Sequence, residues 1–472
     1  MRAGCTLWKY EMKIVIVGGG AAGATVAQFA RKQSRDAEIL VFEKGAYPEY
    51  SRCGMPHAIS GEISSFADLV EFSEGWFEMN RIGLRLMTEV LAVDANGRKV
   101  ETKGSSGTSS ESYDALIFAT GAAPSLPKIE NIQSSGKLRD GAFIFRSMDD
   151  AKALMAWCKG RERKVLIVGA GLIGLEVADA LNHKGHKVTV VEYLDAILPA
   201  MIDPDISEPV ALAMRGVGIE LITSSSVDAV IGDGAITGAK ISSRKESDSR
   251  MIQCDTVVIA TGQKPSTELA GKSGCMLGKQ GHIKVDDRCE TTVKGMFAVG
   301  DCSEYRDLIT GEPSPAGLGT LAVKMGEVAG KNAAGGSARL QKGFLNSRVT
   351  RLFGLEIAAT GPLASSLSNC GIKVVQSRIK GSTLPSYFPG GDELLVKLTS
   401  SEDGSLLSCQ IVGKKEAALR VDIASSMISA SKGAKDLAQL ENAYAPPVAP
   451  CVDVLAAAAQ GILIKIERKG QG

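Results

Sequence analysis

Apolar and polar positions set out the same short pattern twice along this chain. Lys13 opens the unbroken apolar run Ile14-Val-Ile-Val17, which ends in Gly18-Gly-Gly20-Ala-Ala-Gly23, and a second run, Ile39-Leu-Val-Phe42, ends in Glu43. Runs of this length bounded by glycine predict buried parallel strands, and the small-residue stretch after Gly18 predicts a helix entered through a tight turn. The pattern returns as Lys164-Val-Leu-Ile-Val168, Gly169-Ala-Gly171-Leu-Ile-Gly174 and Val188-Thr-Val-Val191, ending in Glu192. Two further runs echo each other, Tyr113-Asp-Ala-Leu-Ile-Phe-Ala119-Thr120-Gly121 and Cys254-Asp-Thr-Val-Val-Ile-Ala260-Thr-Gly262. Offsets of roughly 150 residues between the echoes mark two copies of one domain plan. Gly104 to Ser112 in the first copy is expected to be a flexible hairpin tip, with Ser242 to Arg250 as its counterpart in the second.

Each glycine cluster is a dinucleotide fingerprint in its expected context. Gly18, Gly20 and Gly23, like Gly169, Gly171 and Gly174, permit a tight turn and bring a helix N-terminus against pyrophosphate. Glu43, with its neighbour Lys44, and Glu192 stand where a carboxylate accepts ribose hydroxyls. One such fingerprint is weak evidence; two in strand–turn–helix context indicate two nucleotide sites.

Composition narrows the class. The 472 residues suit about three domains. Lys and Arg number 54 against 53 Asp and Glu, so no net field favours nucleic acid or an anionic membrane. Glycine is unusually frequent, at 53 residues. Ile14 to Ala27 is too short and too glycine-rich to span a bilayer. The ten cysteines show no CxxC pair and no zinc-like spacing, so no metal is expected and they read as reduced thiols of a cytoplasmic protein. Met1 to Glu11 is expected to be a short extension ahead of the fold. The four histidines, His57, His183, His186 and His282, leave the last 190 residues without one.

A later strand, Met296-Phe-Ala-Val-Gly300-Asp301, is followed by a helix from about Gly317 to Gly330. Here the chain resembles the FAD-dependent pyridine nucleotide-disulfide oxidoreductases, in which a Gly-Asp strand end completes the FAD domain and its Asp meets the flavin ribityl chain. The resemblance implies an α/β fold of two Rossmann-like domains, the NAD domain inserted in the FAD domain, plus a C-terminal α+β dimerisation domain. The expected divisions are 12–124 and 265–335 for FAD, 145–264 for NAD(H) and 341–466 for the interface domain. Ala119, Thr120, Gly121 and Gly262 fall in the nucleotide-binding strand ends, and Glu176 matches a family acid near the nicotinamide.

The thiol arrangement selects a branch. Glutathione reductase and its relatives carry a CxxxxC pair and a C-terminal His-Pro; this chain has neither. Its segment Tyr50-Ser-Arg52-Cys53-Gly-Met-Pro56-His57 resembles the single-cysteine branch of coenzyme A-disulfide reductases, persulfide and polysulfide reductases and NADH oxidases. Ser386-Tyr387-Phe-Pro-Gly-Gly391 and Asn442-Ala-Tyr444-Ala-Pro-Pro447 resemble motifs of the disulfide-reducing members. Cys53, ahead of a helix marked by Pro56 and beside Arg52, is in a place that can lower a thiol pKa. The other nine cysteines read as packing residues. Ala21 stands where peroxidases and oxidases place a histidine, which favours disulfide or persulfide reduction.

The resemblance thus implies electron transfer from NADH through FAD to a mixed disulfide on Cys53, in a homodimer whose partner supplies Tyr444 and Tyr387 as the proton source. Glu192 favours NADH over NADPH. Arg52 and His57 are candidate substrate contacts, and Arg31 and Lys32 fall on the first helix where the family has a basic pair facing coenzyme A phosphates. An NADH oxidase and an NADH-sensing flavoprotein without thiol turnover remain as alternatives.

Overall fold

The computed structural model describes residues 12–246 and 248–470; the expected extension at 1–11 lies outside them. In the first copy, four parallel pairings give the strand order Met296–Ala298, Ala115–Phe118, Lys13–Val17, Glu38–Phe42, Gly83–Arg85. Ile14, Ile16, Ile117 and Phe118 are fully buried in it, as the unbroken apolar runs require of a parallel sheet covered on both faces. Helix α1 (Ala21–Gln33) crosses over this sheet, and the short helix α2 (Met55–Ser60) follows Cys53.

The second copy repeats the plan with the order Ala142–Ile144, Thr256–Ile259, Lys164–Val168, Lys187–Val191, Glu220–Ile222, again all parallel. Its helices are α3 (Leu172–His183) and α4 (Pro204–Gly216). Met296–Ala298 and Ala142–Ile144 occupy matching edges of the two sheets, one contributed late in the chain and the other just before its own fingerprint. That second edge strand has only three residues, too few for a periodic signal.

Each copy carries a three-stranded antiparallel sheet, Glu89–Asp94, Lys99–Gly104 and Gly107–Ser112 in the first, Ser225–Ile231, Gly238–Ser243 and Ser249–Ile252 in the second. Gly104 to Ser112 is therefore not a loose tip. It is a tight turn and a whole strand in register from Gly104↔Gly107 to Lys99↔Ser112, and it reads as polar because that strand is almost entirely exposed.

The copies are joined by a pseudo-symmetric crossing. Ala122–Pro124 pairs antiparallel with Gln263–Pro265. Thr120 Oγ1 donates to the Ser266 carbonyl at 2.5 Å and Thr261 Oγ1 to the Ser125 carbonyl at 2.8 Å, so each Ala-Thr-Gly strand end grips the linker that leaves the other. Helix α5 (Gly319–Ala333) then returns to α1 at backbone distance. A Cβ on Gly326 would stand 2.8 Å from the Ala22 carbonyl oxygen, and one on Gly330 2.5 Å from that of Val26.

The C-terminal part is an antiparallel sheet in the order Arg348–Leu352, Leu355–Thr360, Leu406–Gly413, Glu393–Ser401, Val374–Ser382. Alternation decides its packing. Leu394, Val396 and Leu398 face helices α6 (Ala417–Ser429) and α7 (Val454–Gly470), whereas Ile357, Leu395 and Val412 join the core of the second copy. Lys397, 6% exposed, reaches Asp203 at 2.9 Å and Asp205 at 2.7 Å at the start of α4, and Gln410 bonds Asp203 from the same sheet. Among the described residues no helix is long and apolar enough to cross a membrane.

Candidate functional site

The glycines explain themselves sterically. Gly18 (φ 107°) and Gly169 (φ 106°) lie in the left-handed half of backbone space, and a Cβ would sit 2.2 Å from the Ala119 oxygen and 2.6 Å from the Ala260 oxygen. Gly23 and Gly174 would place a Cβ 1.9 and 2.1 Å from the carbonyl oxygens of Gly18 and Gly169. The middle glycines differ: Gly171 faces open space, while a Cβ on Gly20 would meet the Arg52 guanidinium at 2.7 Å. Gly20 and Gly171 cap α1 and α3 without any side-chain hydrogen bond, so the first-turn N–H groups face the space in front of each loop, where an anion is favoured.

Both acids are stitched beneath their loops. Glu43 accepts from the N–H of Gly19 at 2.8 Å and of Gly45 at 2.7 Å; Glu192 accepts from Ala170 at 2.6 Å and Leu194 at 2.8 Å. Each carboxylate oxygen retains acceptor capacity for a ribose hydroxyl. Lys44 is exposed beside the first. The two cradles, with uncapped helix N-termini and positions that exclude any side chain, fit FAD in the first copy and a nicotinamide dinucleotide in the second. Gly121 (φ 66°) and Gly262 (φ 98°) turn the chain out of the sheets at the crossing.

Cys53 is exposed immediately before Gly54, the N-cap of α2, with Pro56 in the first turn. The expected depression of its thiol pKa is not what the surroundings produce. Desolvation by the packed protein around it pushes the thiol up, and the carboxylates of Glu176 and Asp301 push the same way; Arg52 and Arg146 pull it down. These four charges come from both copies and converge on one sulfur. Six of the nine described cysteines are buried, and burial holds Cys158 near 11 and Cys254 near 12, as inert thiols.

Asp301 lies in the turn after Met296–Ala298 and is held by Arg146, whose Nη2 is 2.8 Å from Oδ2 and whose Nε donates to the Ala122 carbonyl at 3.1 Å. Sequence reasoning missed Arg146; its only local mark is a place just before the Ser147–Asp150 capping box. Glu176, in α3, is not a solvated helix residue. Burial raises its carboxyl pKa, and it accepts from Thr350 Oγ1 of the C-terminal sheet at 2.8 Å.

Three candidate substrate contacts have other partners. His57 Nδ1 is 2.5 Å from Glu62, which also holds Arg351 at 2.7 Å. Arg31 donates to the carbonyls of Asn80, Arg81, Arg35 and Ser34, clamping the end of α1 rather than awaiting phosphate. Lys32 lies 4.4 Å over the Phe29 ring. Arg52 rests 5.3 Å over Tyr50 and against Gly20, between the first glycine loop and Cys53. Tyr387 and Tyr444 share a 2.8 Å hydroxyl–hydroxyl hydrogen bond on the C-terminal domain, both well exposed; that bond raises the Tyr444 phenol pKa.

Comparison with known proteins agrees with this geometry. The chain is 38% identical over 461 residues to an NADH oxidase of Methanocaldococcus jannaschii, covering 97% of this chain and all of that one. It is 33% identical over 450 residues to a CoA-dependent NAD(P)H sulfur oxidoreductase of Pyrococcus abyssi, covering 95% and 97%. Among solved structures it resembles an NAD-dependent persulfide reductase from A. fulgidus with a TM-score of 0.91 and 31% identity, over 97% of this chain and 84% of that one. Residues 12–325, which hold both glycine loops, Cys53 and Asp301, match the pyridine nucleotide-disulphide oxidoreductases, and the chain belongs to that family.

Proposed function

We propose that this protein passes an electron pair from NADH, through FAD, to a low-molecular-weight disulfide or persulfide by way of a mixed disulfide on Cys53. The observation that carries the reading is the convergence on Cys53 of Asp301 and Arg52 from the first copy, Glu176 from the second and Arg146 from the junction between them. One sulfur stands where two nucleotide units meet. The sulfur and persulfide reductases among its relatives support the same chemistry.

Bound FAD would supply two-electron exchange between dihydronicotinamide and sulfur. The rest falls to the chain. The Cys53 thiolate attacks one sulfur of RSSR; the S–S bond breaks, RS⁻ leaves and takes a proton, and Cys53–S–S–R remains. Two electrons and a proton then return Cys53 to thiolate and release the second RSH. The sum is NADH + H⁺ + RSSR → NAD⁺ + 2 RSH. One protein thiol suffices because the substrate brings the other sulfurs.

Arg52 and Arg146 offset the carboxylates that disfavour the Cys53 thiolate. Gly20 and Gly171 would present helix N-termini to the two pyrophosphates, Glu43 and Glu192 would accept from the riboses, and the charges of Asp301 and Glu176 bear on the reacting sulfur. Tyr444, its proton retained by the hydrogen bond to Tyr387, protonates the leaving thiolate from a partner subunit. Exposed Leu419, Ile423, Leu440 and Val448, close in the chain or fold to Tyr444, support a homodimer that covers them.

The test is NADH consumption without oxygen against coenzyme A disulfide, smaller disulfides and polysulfide, in wild type and Cys53→Ser. Disulfide turnover that survives Cys53→Ser would overturn the reading. Turnover only with oxygen would select the NADH oxidase activity named for the Methanocaldococcus relative. A flavin that NADH cannot reduce would remove both.

A further inference from the structure

Reduction of a disulfide through Cys53 frees two thiolates per turnover, and Tyr444 carries a proton for one of them. The other leaves when Cys53–S–S–R is reduced, and His57 stands one helical turn beyond that sulfur. Gly61 (φ 86°) ends α2 and turns the chain back, so that the Ile63 N–H bonds the His57 carbonyl at 3.1 Å and Glu62 comes alongside the ring. Glu62 Oε2 lies 2.5 Å from His57 Nδ1, and Glu62 Oε1 lies 2.7 Å from Arg351 Nη2. The hydrogen bond from His57 lowers the Glu62 carboxyl pKa and Arg351 adds to it, against a small desolvation. A carboxylate only accepts, so Nδ1 carries a hydrogen and Nε2 is the atom that gains and loses the mobile proton.

Residues one turn apart on a helix are neighbours, and helical side chains lean toward the N-terminus, here toward the turn that begins at Cys53. Glu176 ties the two positions together. Burial raises its carboxyl pKa, the Thr350 hydroxyl and the His57 charge draw it down, and the same carboxylate bears on the Cys53 sulfur. Thr350 and Arg351 are consecutive in one C-terminal strand, which holds Glu176 with one residue and Glu62 with the next. From α3, Asp179 feels His183, Glu62 and Arg351, and Lys184 reaches Gly61, where a Cβ would lie 2.8 Å from its Nζ. The helix Met148–Cys158, which also packs on α2, turns Asp149 and Lys152 to Tyr47 and Asp150 to the N–H groups of Arg146 and Ser147. The Phe66–Leu69 turn carries one charge, the exposed Asp68. The His57 side chain is 41% exposed, open enough to take a proton from water.

We propose that His57, oriented by Glu62 and Arg351, is the general acid for the second thiolate, the one set free when the Cys53 mixed disulfide is reduced. This rests on Cys53 being the thiol that forms that disulfide. An electron pair breaks the S–S bond of Cys53–S–S–R, Cys53 keeps its thiolate, Nε2–H gives its proton to RS⁻, and RSH leaves. Two protons thus enter through Tyr444 and His57, and the hydride of NADH returns one to solvent. The sum stays NADH + H⁺ + RSSR → NAD⁺ + 2 RSH.

The test uses the holoenzyme carrying Cys5→Ser, Cys370→Ser and Cys451→Ser, because Cys370 and Cys451 are also exposed thiols. Without oxygen, Cys53 is loaded as its mixed disulfide with mercaptoethanol or with thionitrobenzoate. Its reduction is then read by stopped flow as reoxidation of the NADH-reduced flavin, across about pH 5 to 9, the range in which an imidazole titrates. Mercaptoethanol leaves as a basic thiolate that needs an acid, whereas thionitrobenzoate leaves readily without one. His57→Gln keeps an amide donor for Glu62. It should slow the mercaptoethanol reaction about a hundredfold near neutral pH, abolish its fall with rising pH, and spare the thionitrobenzoate reaction. Glu62→Gln should keep that fall and move it to lower pH, because an imidazolium loses its anionic partner. Equal slowing of both reactions in His57→Gln, or of neither, overturns the proposal. So does a pH profile that Glu62→Gln leaves in place, which would make the pair a structural clamp. A wild-type mixed disulfide that NADH cannot reduce overturns the Cys53 chemistry instead.

Discussion

Arg146 Nη2 lies 2.8 Å from Asp301 Oδ2, a bond from the segment that enters the second nucleotide unit to the turn that closes the first. Both side chains are only 21% exposed, so the pair is shielded enough to matter to its neighbours. Removing the cation in Arg146→Leu leaves Asp301 uncompensated. The cost should be about 1–3 kcal/mol, read from the urea midpoint. The Cys53 thiol, which Arg146 pulls down and Asp301 pushes up, should move further up. The pH dependence of its alkylation by iodoacetamide measures that directly.

Glu176→Gln should shift the same alkylation profile the other way. It removes a carboxylate that raises the Cys53 thiol pKa and keeps an oxygen to accept from Thr350. Less negative charge favours thiolate, so Cys53 should ionise at lower pH. Shifts of the same sign in both variants would contradict the convergence of these charges on one sulfur.

Gly171→Ala separates folding from nucleotide binding. At φ −76° and ψ −179° alanine is unstrained, and nothing stands within 4 Å of the added Cβ. Stability should stay within about 0.5 kcal/mol. The methyl nevertheless fills the face where pyrophosphate approaches α3, so flavin reduction by NADH should weaken markedly while reduction by dithionite proceeds. Gly18→Ala has no such latitude. With the Ala119 oxygen 2.2 Å away and φ at 107°, it should cost stability and flavin content together.

Tyr444→Phe breaks the 2.8 Å bond to Tyr387 without altering the ring. Thiol release should slow while stopped-flow reduction of the flavin by NADH keeps its wild-type rate. A variant that slowed both steps equally would place the tyrosine pair in packing rather than in proton delivery.

What the sequence disclosed follows from range. Gly18, Gly23, Gly169 and Gly174 answer to clashes within a few residues or with the neighbouring Ala-Thr-Gly strand, and Glu43 and Glu192 follow at fixed spacing; such constraints leave a local imprint. Arg146 meets Asp301 across 155 positions and Arg351 meets Glu62 across 289, so neither pairing has a local signature. Arg31 shows the converse. Its place on α1 suggested phosphate, but the bend of the chain around 80–81 brings carbonyls to it first. The strand Gly107–Ser112 escaped notice because exposed sheet residues need no apolar alternation.

Glu49 gives the site region a pH dependence of its own. It is 5% exposed, pairs through its backbone with Phe72, and its Oε2 has no hydrogen-bond partner among the described residues. Burial, reinforced by Glu71 and opposed by Arg52, raises its carboxyl from 4.5 to about 7. Between those two values the folded chain holds more protons than the unfolded one. The stabilisation is therefore fully present below about pH 4.5 and is lost as the pH climbs through about 7, a component of about 3 kcal/mol in all. Glu49→Gln cannot ionise and should lose this component, so its urea midpoint should fall less than that of wild type between pH 5 and 8. Since Arg52 also bears on Cys53, the same variant should flatten the part of the Cys53 alkylation profile near pH 7. Parallel stability profiles for the two proteins would mean that Glu49 is ionised throughout the range, with Arg52 drawn onto its open oxygen.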